Sequence, residues 1–418
     1  MTKTKAKAPG RFDVAIAGGG FAGRTLALAL AKLAPQGFRI ALIDTEPAKA
    51  QARGNADARA LALTAATRNL LSALDLWHEL EPSAQAIESI EITDSPLNAA
   101  LRPHFLGFDA EFKHASAKAH IVEHGALDGL LAAAVEKNPS IKLFAAETLT
   151  DYETDAFKLE AKLGSGKTVE TGLLVAADGK RSRARERAGI KCVGWSYPQI
   201  GIVATVAHAR PHHGQAVQHF LPSGPFAILP LKGNRSSIVW TEEKAHGEAI
   251  MALDETGFLA ELGTRFGHRL GAIELAGPRQ SFPLDMQIAR SFVADRLALV
   301  GDAAHAVHPL AGQGLNIGMR DVAALAETIV DATRLGLDVG DAVTLERYER
   351  WRRFDSAFSA AVMDGLNRLF SNDNAPLRIV RDLGLGLVDR APALKRFLVN
   401  EAAGTTGTLP RLLKGQSP

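Results

Sequence analysis

The chain has 418 residues, and 48 lysines and arginines against 46 aspartates and glutamates leave a net charge of +2, which argues against a nucleic-acid-binding protein. An apolar fraction of 46% and a charged fraction of 22% are typical of a globular protein with two or three packed units. The single cysteine, Cys192, excludes an internal disulfide framework and a cysteine metal cluster. No apolar stretch reaches the ~18 residues of a spanning helix, so we expect a cytoplasmic protein.

The first elements form a β-α-β unit. Residues 12–17 are predicted as a short apolar strand, which runs into the glycine-rich segment 18–23. A helix over 24–33 and a second strand over 39–43 follow, and the second strand ends at Asp44. This succession predicts a parallel sheet.

Later segments return to this sheet or build another one. Loop and then helix are predicted over 53–80, and from 319 onward the pattern is mainly helical. Strands are predicted over 87–93, 141–149, 156–163, 173–177 and 297–300, a helix over 124–137, and a mostly antiparallel second sheet over 190–245, with turns at 222–225 and 232–234. The nucleotide-binding unit is therefore expected to be discontinuous, with the second sheet inserted into it.

The segment 18–23 has the spacing G-x-G-x-x-G. Gly18 permits the tight turn from strand to helix, Gly20 lets a pyrophosphate approach the backbone, and Gly23 lets the helix pack closely on the sheet. The free N–H groups of the helix start attract phosphate. Asp44 lies at the distance expected for an acid that accepts hydrogen bonds from ribose. These features predict a dinucleotide site, but do not separate FAD from NAD.

The segment 301–316, GDAAHAVHPLAGQGLN, makes that separation. Gly301 and Asp302 follow a buried strand, and the glycine turn at 312–316 opens a helix. Asp302 is placed to hold ribityl hydroxyls, and the helix start is placed to stabilise negative charge on a reduced flavin. A second nucleotide motif so far along the chain favours one long cofactor that extends from Gly18 to Asn316.

Three motifs carry a resemblance to a known family: 18–23, the segment DGKRSRAR at 178–185, and 301–316. In this order and spacing they resemble the class A flavoprotein aromatic hydroxylases, the family of para-hydroxybenzoate hydroxylase, over residues 12–415. Further stretches resemble the ubiquinone-biosynthesis branch of that family: 57–63, 224–231 with 238–240, 312–322 and 348–353.

The resemblance implies an α/β fold with a Rossmann-like FAD-binding domain built from 10–90, 120–189 and 285–335. An inserted substrate domain would comprise 91–119 and 190–284, and a C-terminal helical region 336–418. The implied cofactor-binding residues are Gly18, Gly20, Gly23, Asp44, Arg59, Asp178, Gly179, Gly301, Asp302, Pro309, Gly312, Gln313, Gly314, Leu315 and Asn316.

The resemblance also implies an enzyme that uses FAD, O2 and an electron donor. Members of the family reduce FAD, form a flavin C4a-hydroperoxide and transfer its distal oxygen to an aromatic ring, so that the cofactor supplies the hard chemistry. NAD(P)H is the usual donor, but no separate NADPH motif is visible and a ferredoxin-type donor stays open. In the segment 119–124, His124 stands where the quinone branch usually has asparagine.

Several side chains have two interpretations. His305 is a candidate proton shuttle, with hydrogen bonding or packing in the loop as the alternative. Phe226, Leu229 and Trp240 are candidates for the substrate pocket, although aromatic residues on strands are more often core. The arginines of 181–185 could attract an NADPH phosphate or form a solvated face. Histidine spacing indicates no metal site.

Three functions fit the sequence: a hydroxylase of a polyprenylphenol intermediate of ubiquinone biosynthesis, a soluble hydroxylase of a small phenolic acid, and a flavin-bound accessory subunit of a quinone-biosynthesis complex. The basic, partly apolar segment 376–418 suits peripheral contact with the inner membrane, a partner or a second copy of the chain, or packing on the protein's own core. Oligomeric state and the hydroxylated ring position stay open.

Overall fold

In the computed structural model the chain is described over residues 11–46, 57–94, 106–107, 119–307, 313–370, 404 and 407–417. Short segments of the chain alternate between sheets, as the discontinuous sequence pattern indicates. The strands in chain order are β1 (Phe12–Ala17), β2 (Ile40–Asp44), β3 (Ala60–Leu63), β4 (Gln85–Ala86), β5 (Ser89–Asp94), β6 (Leu106–Gly107), β7 (His120–Glu123), β8 (Ile141–Ala145), β9 (Leu149–Thr154), β10 (Leu159–Leu163), β11 (Thr168–Ala176), β12 (Cys192–His208), β13 (Gln215–Leu221), β14 (Gly224–Leu231), β15 (Arg235–Glu243), β16 (Ile273–Leu275), β17 (Gln280–Ala289), β18 (Val293–Ala294), β19 (Leu297–Leu299) and β20 (His305–Ala306).

The helices pack on the faces of these sheets. In chain order they are α1 (Phe21–Leu33), α2 (Ala65–Ala73), α3 (Trp77–Leu80), α4 (His124–Lys137), α5 (Arg183–Arg187), α6 (Lys244–Ala252), α7 (Glu255–Phe266), α8 (Gln313–Arg334) and α9 (Ala342–Phe370). Within the residues that the structure describes, no helix is both long and apolar enough to cross a membrane.

The first sheet has the order β18-β19-β11-β1-β2-β8. The pairs β19–β11, β11–β1, β1–β2 and β2–β8 are parallel, while β18, β9 and β10 join antiparallel. Strands β1, β2 and β19 are almost completely buried because helices cover the sheet, as parallel sheets require. The carboxyl ends of β1, β2, β11 and β19 meet at one edge, where an open α/β sheet binds its ligand.

The second sheet has the order β20-β17-β12-β15-β14-β13-β5-β6, with β16 beside β12. Its neighbours pair antiparallel except β13 and β5, which run parallel. Side chains alternate between its two faces. One face packs through Ile202, Phe226 and Trp240 against Phe258 and Leu262 of α7 in a separate core. The other face therefore points toward the first sheet.

Most elements agree with the sequence prediction, and helix α4 begins and ends at the predicted residues. The prediction of loop before α2 is wrong for 60–63, which form β3 and pair with β7 in a small antiparallel sheet. The four-residue segment ALAL has no alternation of polar and apolar residues that would indicate a strand. Its partner β7 lies some sixty residues later in the chain. Helix α1 begins at Phe21 rather than Arg24, and α8 begins at Gln313.

Candidate active site

A cavity of about 1320 Å³ separates the carboxyl edge of the first sheet from the open face of the second. Ligand pockets in proteins typically measure about 300–1,000 Å³, so this volume has room for a large cofactor and a second ligand. Of the residues predicted from the sequence, those that line it are Gly18, Gly20, Asp44, Arg59, Asp178, Gly179, Leu229, Gly301, Asp302, Gly314 and Leu315. Pro309 and Gly312 lie outside the described residues.

The glycines between β1 and α1 have different physical roles. Gly18 has a φ of +111°, and a Cβ there would lie 2.2 Å from the carbonyl oxygen of Ala177. A Cβ on Gly23 would lie 1.9 Å from the oxygen of Gly18, so both glycines are required by packing. A Cβ on Gly20 would meet no protein atom within 4 Å, although Gly20 lines the cavity. Only Gly20 therefore leaves room that a ligand would use.

Gly19 has a structural role that the spacing of the glycine motif does not reveal. A Cβ at this position would lie 2.0 Å from the Oδ2 atom of Asp44, so the turn and the end of β2 approach too closely for any side chain. Asp44 is 5% exposed, and its Oδ2 atom accepts a hydrogen bond from Arg24 at 3.3 Å. Arg24 in turn donates to Asp128 at 2.7 Å. This buried chain of charges fixes the acid at the cavity edge.

Arg59 joins two titratable side chains at the cavity wall. Its Nε atom donates to Asp57 at 2.9 Å, and its Nη2 atom lies 3.1 Å from Nε2 of His124. Burial lowers the pKa of His124, and the positive charge of Arg59 lowers it further. Burial alone would raise the pKa of Asp57, but hydrogen bonds from Arg59 hold it below its usual value. At neutral pH the cluster is therefore a carboxylate, a guanidinium and a neutral imidazole.

The segment after β11 brings polar backbone and one unpartnered carboxylate oxygen to the cavity. The Oδ2 atom of Asp178 accepts from the backbone N–H of Arg183 at 2.8 Å, which anchors the start of α5. Its Oδ1 atom is buried and has no hydrogen-bond partner among the described residues. Gly179 adopts a φ of +80°, and Lys180 forms an ion pair with Asp285 across to the second sheet.

Asp302 and His305 differ in what they contact. The side chain of Asp302 lines the cavity and is exposed there. The protein that surrounds the cavity still reduces the solvation of its carboxylate, and this desolvation raises the pKa of Asp302. His305 is fully buried, and its Nε2 atom lies 2.6 Å from Oδ2 of Asp321. The same oxygen accepts from the backbone N–H of Gly301 at 3.0 Å. His305 does not line the cavity, so its interpretation as a proton shuttle finds no support in this geometry.

The first turn of α8 contributes Gly314 and Leu315 to the cavity, but not Gln313 or Asn316. The sequence predicts that Asn316 lies beside the flavin ring, and in the structure its side chain is held by protein groups. Its Oδ1 atom accepts from the Oγ1 atom of Thr67 at 2.7 Å, and its Nδ2 atom donates to the carbonyl of Ala62 at 2.7 Å. Asn316 therefore links α8 to β3 and α2 and positions the helix start.

The second sheet supplies the opposite wall, and of the two interpretations of Phe226 and Trp240 the structure supports packing in a core. Phe226 and Trp240 are 0% exposed in the core on the far face, whereas Leu229 lines the cavity. Because side chains alternate along a strand, the neighbours of the two aromatic residues face the cavity instead. Further residues of this wall, which the sequence does not indicate, are Gly201, Val203, Gln218, Pro225, Ala227, Val239, Thr241, Gln280, Phe282, Pro283, Leu284 and Asp285.

Together these features fit a dinucleotide whose pyrophosphate passes Gly20 and whose other end reaches Asp302 and the start of α8. The free N–H groups of α1 have no side-chain cap, which leaves them available to phosphate. Across the described ranges, no group of three or more histidine, cysteine or acidic side chains is arranged to hold a metal ion.

Comparisons with known proteins agree with this geometry. Residues 11–360 match the sequence family described as FAD binding domain. The chain is 44% identical over 406 residues to ubiquinone hydroxylase UbiL of Rhodospirillum rubrum, covering 96% of this chain and 92% of that protein. It is 34% identical to 3-demethoxyubiquinol 3-hydroxylase of Escherichia coli strain K12, covering 94% and 98%. The crystal structure of p-nitrophenol 4-monooxygenase PnpA from Pseudomonas putida DLL-E4 superimposes with a TM-score of 0.76 at 18% identity, covering 95% and 99%.

Proposed function

Because the chain belongs to the FAD binding domain family and is an FAD-dependent monooxygenase, we propose that it hydroxylates the aromatic ring of a polyprenylated phenol intermediate of ubiquinone biosynthesis. The two curated relatives above, both named for ubiquinone or ubiquinol hydroxylation, support this substrate class. The matches cover nearly the whole chain, so the likeness includes the second sheet as well as the nucleotide-binding segments.

Bound FAD, with NAD(P)H as reductant and O2 as co-substrate, supplies the oxygen-transfer chemistry. The protein's own residues bind the cofactor, orient the substrate and shield the reacting groups from water. The backbone N–H groups at Gly20 and the start of α1 would donate hydrogen bonds to the pyrophosphate. The carboxylate of Asp44 would accept hydrogen bonds from the ribose, and that of Asp302 would accept them from the ribityl hydroxyls. The first turn of α8 would place positive backbone dipoles beside the flavin ring. The walls of the cavity would keep water from the reacting ring.

One observation carries the choice of substrate: among the described residues, the wall formed by the second sheet offers no cationic side chain, and the carboxylate of Asp285 there already pairs with Lys180. Apart from Asp285, its residues that line the cavity are glycine, proline, aliphatic, phenylalanine, threonine and glutamine. A small phenolic acid would bring a carboxylate that needs a cationic partner when it leaves water. A wall without a cationic side chain instead favours a neutral ring with an apolar chain.

We also propose the domain division expected from the sequence. Residues 10–90, 120–189 and 285–335 would bind FAD, 91–119 and 190–284 would bind the substrate, and 336–418 would form a C-terminal helical region. Since a polyprenylated substrate partitions into lipid, peripheral contact with the inner membrane is part of the proposal. Most of 376–418 lies outside the described residues.

A substrate comparison tests the proposed function. Purified holoenzyme would be given NADPH or NADH and either 2-farnesylphenol in detergent micelles or 4-hydroxybenzoate in buffer. We expect 2-farnesylphenol to accelerate cofactor oxidation and to gain one oxygen atom, as measured by mass spectrometry. Faster hydroxylation of 4-hydroxybenzoate would favour the small-acid alternative. Flavin that stays bound but hydroxylates neither compound, even after reduction with dithionite and exposure to O2, would favour an accessory role.

A further inference from the structure

A single row of side chains crosses the cavity-facing side of the second sheet. Strand register aligns Gln218 with Ala227, Ala227 with Val239, Val239 with Val203, and Val203 with Gln280. All five residues line the cavity. With strands about 4.8 Å apart, the row is roughly 19 Å long. It is an apolar trough with a carboxamide at each end.

The two carboxamides differ in how their polar atoms are used. The Oε1 atom of Gln280 accepts a hydrogen bond from the backbone N–H of Ala58 at 3.2 Å, which ties β17 to the segment before β3. The Nε2 atom of Gln218 is buried and has no hydrogen-bond partner among the described residues. Its neighbours in register are Ala227 on one side and Ile92 on the other, and neither side chain offers an acceptor.

Buried donors are almost always paired, because an unmade hydrogen bond costs free energy. Within the part of the chain that the structure describes, only Asp178 and Gln218 combine an unpartnered buried polar atom with a place in the cavity wall. Asp178 belongs to the segment beside the nucleotide-binding turn. Gln218 lies on β13, five strands away from β20, which is the strand of this sheet that belongs to the 301–316 motif. We therefore expect a ligand other than the pyrophosphate to satisfy it.

We propose that the carboxamide of Gln218 turns about its last side-chain bond and donates a hydrogen bond through Nε2 to an oxygen on the ring of the bound substrate, and that Gln218 is therefore a specificity-determining residue. The inference rests on the proposed function. In a polyprenylated phenol the hydrocarbon chain has no acceptor, so a donor in an otherwise apolar trough can recognise only the ring end. The hydrogen bond sets which end of the substrate, and which ring orientation, the site accepts.

Gln218→Met tests this inference, because methionine keeps the length of the side chain and removes the donor. Binding of 2-farnesylphenol and of farnesylbenzene, which lacks the ring oxygen, would be followed in the holoenzyme through perturbation of the flavin absorption spectrum. We expect Gln218→Met to weaken binding of 2-farnesylphenol about 3- to 10-fold and to leave farnesylbenzene unchanged. The melting temperature should stay equal or rise, because an unpaired buried amide is removed.

Gln199→Met is the matched control. Gln199 is another glutamine of the second sheet, but its Nε2 atom already donates to the carbonyl of Ser223 at 2.7 Å. This variant should melt at a lower temperature and keep the wild-type ratio of the two affinities.

The outcomes separate this inference from the function on which it rests. Equal weakening of both ligands by Gln218→Met, no weakening of either, or a fall in melting temperature like that of Gln199→Met would overturn the role of Gln218 alone. Wild-type holoenzyme that binds neither ligand would contradict the proposed function and this inference with it.

Discussion

Gly20→Val is expected to abolish FAD binding while the apoprotein stays folded. The backbone at Gly20 is extended, with φ −73° and ψ −172°, which any residue adopts, and a Cβ there would meet no protein atom. The valine side chain would instead fill the path of the pyrophosphate and separate it from the N–H groups of α1. Losing two charge-assisted hydrogen bonds of about 1.5–3 kcal/mol each would lower FAD affinity at least ~100-fold.

Flavin absorbance of the purified protein and thermal melting of the apoprotein measure the two halves of this prediction. Gly23→Val should unfold the protein rather than only release FAD, because its Cβ would collide with the oxygen of Gly18. Gly263 lies on α7, away from the cavity, and a Cβ there would meet no protein atom within 4 Å. Gly263→Val should therefore keep both the fold and the bound flavin. A yellow Gly20→Val protein with stoichiometric FAD would refute the placement of the phosphates.

Asp321→Ala is expected to cause the largest loss of stability. Asp321 is 0% exposed and accepts from Gly301, lies against His305, and accepts from Nε of Arg352 at 2.8 Å. Removing one member of a buried ion pair leaves the other charge uncompensated, which costs about 3–5 kcal/mol. At about 2–4 °C per kcal/mol the melting temperature should fall by roughly 10 °C.

Burial alone would raise the pKa of Asp321, but the attraction of His305 and Arg352 outweighs burial and lowers it. When the pKa of a carboxyl group is lower in the folded state, its charge stabilises the protein at every pH above the ordinary pKa of a carboxyl group. This stabilisation is lost only as the pH falls through the lowered, folded-state pKa. The gap between wild type and Asp321→Ala should therefore persist from about pH 5 to 8 and narrow only in strong acid.

Glu346→Ala is the control for Asp321→Ala, since it removes a surface ion pair whose nitrogen and oxygen lie 4.0 Å apart. Such exposed pairs contribute less than about 1 kcal/mol. If Asp321→Ala melted as close to wild type as Glu346→Ala, the network around Asp321 would not support the 301–306 segment.

Local chemistry made the first β-α-β unit and the order of the motifs predictable. The turn at 18–23 needs glycine for reasons of backbone conformation and close packing, and both reasons operate within a few residues. The cavity wall formed by the second sheet was not predictable in the same way. Alternation identifies β14 and β15 as strands, but it does not say which face meets the cavity, so the sequence leaves Phe226 and Trp240 open between the substrate pocket and the core.

Contacts between residues far apart in the chain could not be predicted from the sequence either. Asn316 lies within a motif that indicates flavin binding, yet its side chain contacts Thr64 and Thr67, about 250 positions earlier in the chain. Asp321 looks like an ordinary polar residue of a helix until Arg352 of the next helix is placed beside it. No sequence motif identifies Gln218 as a binding residue, because its role depends on the apolar residues that strand pairing places beside it.

The most direct test of the central claim is the quinone profile of a strain that lacks this gene. Lipid extracts would be compared with wild type by mass spectrometry, with and without a plasmid that restores the chain. We expect less ubiquinone and an accumulated polyprenylated phenol that lacks one ring hydroxyl or the methoxy group made from it, both reversed by the plasmid. Unchanged ubiquinone with no accumulated precursor, in a strain without a second copy of such a hydroxylase, would contradict the account.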